Sequence, residues 1–61
     1  MRLKLDIRMD NAAFEENGES EAASILRKLA DDMEKYALSY REWVLFDMNG
    51  NKVGTAKVIK G

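Results

Sequence analysis

The sequence predicts an α+β fold: a single β-α-β-β domain whose three-stranded, mostly antiparallel sheet carries one amphipathic helix on one face. Three observations carry that expectation. Leu3, Leu5, Ile7 and Met9 alternate with Arg2, Lys4, Asp6 and Arg8, which is the period of a strand with one buried side. Between Glu19 and Ala37, the residues Ala22, Ile25, Leu26, Leu29, Met33 and Tyr36 fall in an arc of roughly 100° on a helical wheel, as in a helix with one buried face. Finally, Arg41 to Met48 and Lys52 to Lys60, rich in aromatic and branched residues, flank Asn49-Gly50, a strong hairpin signal.

The first strand ends where Asp10 and Asn11 break its alternation, and Ala12 to Glu16 have the composition of a short helical turn closed by Asn17-Gly18. Phe14 is the one large apolar residue of this connection and is expected to plug the core beneath it. Asn17, Gly18 and Ser20 suit a helix cap, and Glu19 and Glu21 suit the positive end of the helix dipole, as Lys35 suits the other end. Arg27/Asp31, Lys28/Asp32 and Asp31/Lys35 are opposite charges four residues apart on the solvent side. Leu38, Ser39 and Tyr40 then lead into the hairpin without a glycine or proline to fix the helix end.

A two-residue turn at Asn49-Gly50 would set Phe46 opposite Val53, Leu45 opposite Gly54 and Trp43 opposite Ala56. Trp43, Leu45, Ala56 and Val58 then share the face assigned to the helix, because Gly54 and Ala56 leave room for an indole. Val44, Phe46, Val53 and Thr55 occupy the other face, which a single helix cannot also cover. A three-residue loop would shift one strand and flip half of these assignments. The first strand is expected beside the third, giving an all-antiparallel sheet; a right-handed crossover beside the second is the alternative.

The chain has 61 residues and neither cysteine nor histidine, so neither a disulfide scaffold nor a zinc site of the usual kinds is available. A domain of this size buries only about 60% of its unfolded surface, and dimerisation is a staple that small domains use. The net charge of −1 conceals a segregation: basic Arg2, Lys4 and Arg8 come first, eight acids lie between Asp10 and Glu34, and the remainder is basic again. The alternating N-terminal residues do not resemble a signal peptide and no long apolar run follows, so no membrane contact and a cytoplasmic location are expected.

Catalytic chemistry finds little support. Asp31-Asp32 and Glu15-Glu16 are adjacent pairs, and neighbouring helical side chains diverge by about 100° instead of meeting on one substrate atom. Asp47-Met48-Asn49-Gly50-Asn51 begins like a calcium loop, but Gly50 falls at the fourth position and Val58 at the twelfth, where that pattern needs glycine at the sixth and glutamate at the twelfth. No enzyme activity, cofactor or metal is expected.

The strand ending Met-Asp-Asn-Ala-Ala-Phe-Glu-Glu-Asn (Met9 to Asn17), the helical Ile-Leu-Arg-Lys-Leu-Ala-Asp (Ile25 to Asp31) and the hairpin Asp-Met-Asn-Gly-Asn-Lys-Val-Gly (Asp47 to Gly54) resemble a group of small proteins from tailed phages and prophages. The resemblance spans nearly the whole chain. It implies a phage origin, hence a bacterial host cell, and supplies no catalytic residue.

The expected function is therefore a non-enzymatic protein-binding module that pairs with itself as a homodimer or blocks a host protein, for example one of bacterial defence. The candidate contact surface is Val44, Phe46 and Val53 with Arg2, Lys4 and Arg8. An acidic patch of Glu15, Glu16, Glu19, Glu21, Asp31, Asp32 and Glu34, imitating nucleic acid, is a second candidate surface. The alternative function is weak nucleic-acid binding on the open sheet face, with Arg2, Lys4 and Arg8 on phosphates and Phe46 as a stacking platform.

Overall fold

The computed structural model describes residues 1–36 and 41–60. Strand β1 (Arg2–Ile7) is followed by a 3-10 turn (Ala12–Phe14), helix α1 (Gly18–Lys35) and strands β2 (Glu42–Phe46) and β3 (Lys52–Ile59). The sheet order is β1-β3-β2 and both pairings are antiparallel, so β3 is the central strand. This is the expected α+β architecture with β1 beside β3. The helix end is expected anywhere from 36 to 39, and of that stretch residues 37–39, with the rest of the connection at 40, lie outside the described residues.

The core forms where one stripe of α1 meets the β2/β3 side of the sheet: Ile25 and Leu29 pack with Trp43, Leu45, Val53 and Ala56, and Phe14 closes the end from the 3-10 turn. Asn11 caps that turn, its side chain accepting from the Ala13 N–H at 2.9 Å, which fixes Phe14 pointing inward. Asn17 occupies the helix N-cap position without a side-chain capping bond.

The hairpin differs from expectation in two places. The Gly50 N–H donates to Asp47 C=O (3.0 Å) and the Asp47 N–H to Asn51 C=O (2.9 Å), while Gly50 alone has a positive φ, +82°. These are the marks of a three-residue loop ending on a left-handed glycine, in place of the two-residue turn. Its extra residue moves Phe46 from Val53 to Lys52. A β-bulge then restores the register, so that Leu45 still faces Gly54 and Trp43 still faces Ala56.

The bulge has a packing cause. Val53 and the pair Ala56/Val58 have opposite parity, yet Val53 is 2% exposed and belongs to the same core as Ala56. A regular strand would send one of them to solvent; one inserted residue brings both inward. Val53 is thus corrected from the open face to the core. Gly54 beside it is obligatory, since a Cβ there would run into the Asp6 carbonyl group and come within 3.0 Å of Ile7 Cα.

The face of β1 expected to be buried is only partly so. Helix α1 lies against β2 and the 3-10 turn. Ile7 is half-buried, but Leu3 and Leu5 are 49% and 44% exposed, and Leu26, on the flank of α1 away from β2, is 41% exposed.

Candidate functional site

Alternation along β1 and β2, carried across β3 by the pairing, gives the open face three rows. Arg2 lies beside Ile59, Lys4 beside Lys57 and Glu42, and Asp6 beside Thr55 and Val44. Phe46 and its partner Lys52 stand at the loop end, and Arg8 continues the β1 alternation past the strand. Lys57 Nζ lies 3.8 Å from Glu42 carboxylate, an exposed pair of little energetic weight. Val44 and Phe46 are 47% and 53% exposed. They also border a cleft of about 40 Å3 at the β2 edge, opposite Lys28 and Asp32 of α1. The structure therefore keeps Val44, Phe46, Arg2 and Lys4 of the expected surface on one face but not in one patch, since seven residues of β3, about 23 Å, separate the Phe46 row from the Arg2 row; it removes Val53 and adds Lys52 and Lys57.

The acidic patch does not form as one surface. Glu15, Glu16 and Glu21 border a cleft of about 420 Å3 between the 3-10 turn, the start of α1 and the hairpin loop, with Glu19 exposed nearby. Asp31, Asp32 and Glu34 lie in the last turns of α1, and the ten residues from Glu21 to Asp31 correspond to about 15 Å of helix. Arg27 and Lys28 stand between the two groups, and Lys28 holds Asp32 at 3.4 Å. Glu21 is committed to structure, its carboxylate accepting from the Met48 N–H at 2.7 Å. Among the described residues no cluster of three or more acids has the arrangement to hold a metal ion.

The best-formed polar centre is Asp47, which is buried. One carboxylate oxygen accepts from the N–H groups of Asn49 and Asn51, both at 2.9 Å; the other accepts from the side-chain amides of Asn11 (2.8 Å) and Asn51 (3.4 Å). The Asn51 N–H, foremost, and then the Asn11, Asn49 and Asn51 side-chain and backbone donors hold its pKa below the ordinary aspartate range, against the opposing effect of burial. Its four acceptor positions are turned to its own loop and to Asn11, so its part is architectural. The sequence signal was the Asp-x-Asn-Gly-Asn run, since aspartate readily binds the N–H two residues on.

Among the described residues no helix is long and apolar enough to cross a membrane. Comparison with protein-family models, curated proteins and solved structures returns no match to this chain.

Proposed function

We propose that this chain is a non-enzymatic protein-binding module of phage type, acting through the open face of its sheet on a host protein, with components of bacterial defence as the expected class. The observation that carries the reading is the exposure of Val44 and Phe46 two residues apart on an edge strand, with Lys52 and Lys57 beside them. An apolar pair bordered by Lys52, Thr55, Asp6 and the Lys57/Glu42 ion pair has the make-up of a contact centre with a polar border. The division of the acids between two ends of α1 favours the sheet over the helix as the contact surface. The sequence resemblance supports the phage assignment.

A second reading rests on charge. By pairing, the open face holds Arg2, Lys4, Lys52 and Lys57 against Asp6 and Glu42, with Phe46 as one aromatic platform. That composition suits a weak, sequence-tolerant contact with single-stranded nucleic acid.

Affinity capture from bacterial lysate on the immobilised parent and on Phe46→Glu, run beside titration of a single-stranded oligonucleotide over a range of salt, separates the readings. The protein-binding reading expects a captured protein that Phe46→Glu loses and that salt barely releases. Oligonucleotide binding that collapses with salt would transfer the assignment to nucleic acid. Identical capture by both variants would remove the open face from consideration.

A further inference from the structure

We infer that β1 is a self-pairing edge: two copies of this chain join antiparallel through β1 about a two-fold axis at Leu5, merging their three-stranded sheets into one. The contact is separate from the open-face surface proposed above, and either can fail without the other.

The backbone provides the first argument. Ile7 faces Gly54 across the ladder, and the Arg8 N–H donates to Val53 C=O at 2.8 Å. That combination makes Ile7/Gly54 a non-hydrogen-bonded pair, so the even residues of β1 bond to β3 and the N–H and C=O groups of Leu3, Leu5 and Ile7 point to the free edge. Among the described elements nothing pairs with that edge. A two-fold axis matches these groups only when it passes through a residue, because odd residues must then meet odd residues.

Side chains select the residue. An axis at Lys4 would put Lys4 against its own copy, and since each Lys4 already faces Lys57 in its own sheet, four lysines would stand in one row. An axis at Asp6 would oppose two aspartates and set Lys4 against Arg8 of the other copy, and an axis at Leu3 or Ile7 would set much of the strand against residues beyond its ends. An axis at Leu5 instead places Lys4 opposite Asp6 on both sides of the axis, giving each Lys4, whose cross-strand neighbour in its own sheet is Lys57, an acid on its free flank. Arg2 and Arg8 oppose each other only at the ladder's exposed ends, where solvent screens them.

The same register repairs the uncovered apolar face. Leu5 meets Leu5, and Leu3 meets Ile7, on the helix side of the joined sheet. There Leu3, Leu5 and Leu26 are 41–49% exposed while α1 sits over β2. Two such open flanks face each other across the axis, so each copy supplies the apolar surface the other lacks.

The chain has no cysteine, so single-cysteine variants report the register directly. Under mild oxidation at micromolar protein, Leu5→Cys should form a covalent dimer at least about tenfold faster than Lys4→Cys or the outward-facing control Ser24→Cys, since only paired residues come within disulfide range. Sedimentation of the unmodified parent should show a dimer at high micromolar concentration. Lys4→Asp and Asp6→Lys should each weaken that dimer by about tenfold, and the double exchange should restore it, because like charges opposed in either single variant become opposite again. Circular dichroism confirms that each variant is folded. A monomeric parent, cross-linking of Leu5→Cys no faster than Ser24→Cys, or a double exchange as weak as the singles overturns the proposal.

Discussion

Asn11 and Asp47 stand 36 positions apart and are joined by a 2.8 Å hydrogen bond from the asparagine amide to the carboxylate. One end of that bond caps the 3-10 turn that presents Phe14 to the core; the other organises the hairpin loop. The two connections at this end of the fold are therefore set by a single polar pair, a buried Asp47 and a half-buried Asn11, which no apolar pattern would reveal.

Asp47 should give the stability a defined acid dependence. Its folded pKa lies below the unfolded one, so its contribution is complete above the ordinary aspartate value, about 3.9, and disappears as pH falls through the lower folded value. Urea melts of the parent and of Asp47→Asn at neutral pH and near pH 2.5 should show a gap that shrinks in acid. An equal gap at both would mean that folding does not lower the Asp47 pKa.

The two hairpin glycines should respond differently to alanine. At Gly50, with φ +82° and open space around it, the expected loss is about 1–2 kcal/mol, the left-handed conformation alone. At Gly54 the new methyl meets the Asp6 backbone, so the β1/β3 ladder must move, and a loss of about 3 kcal/mol or failure to fold is expected. Thermal melts of the two variants decide it; equal small losses would mean that β1 does not approach β3 as described.

Core and surface separate along β2 and β3. Leu29→Ala should cost about 2–5 kcal/mol and Val53→Ala about 2 kcal/mol, whereas Phe46→Ala, at a half-exposed position, should cost well under 1 kcal/mol. Denaturant melts measure all three. A Phe46 effect larger than that of Val53 would return Val53 to the open face and remove the bulge.

Apolar periodicity made the elements legible, because a helix stripe and a strand alternation are both direct records of which side is dry. The short hairpin made the β2/β3 pairing legible but left β1 beside β3 or beside β2; the structure has the first of these, which is the expected one. The pairing of Trp43 with Ala56 was legible for an incomplete reason: the longer loop shifts the register by one and the bulge shifts it back. The sequence carried a trace of this, since the apolar residues Val53 and Ala56 are three apart with Gly54 between them, a spacing that breaks the strand period. The exposure of Leu3 and Leu5 was not legible, because alternation tells which side of β1 is apolar but not how far α1 reaches across the sheet. Of the candidate surface, Val44 and Phe46 stay together while Arg2 lies at the far end of the same face, and the acids are separated by the length of the helix between them.

The strand order also sets a sequence of events in folding. Helix α1 and the β2/β3 hairpin consist of contacts between near neighbours in the chain, but among the described residues β1 has its only in-chain ladder with β3, and the pairing of Arg2 with Ile59 closes almost the whole length described. Non-local closures of this kind come late, after the entropy of the intervening loop has been offset by other contacts. The first of these three strands in chain order is thus the last to find its partner, and until then its row of leucines and isoleucine is presented to whatever lies nearby.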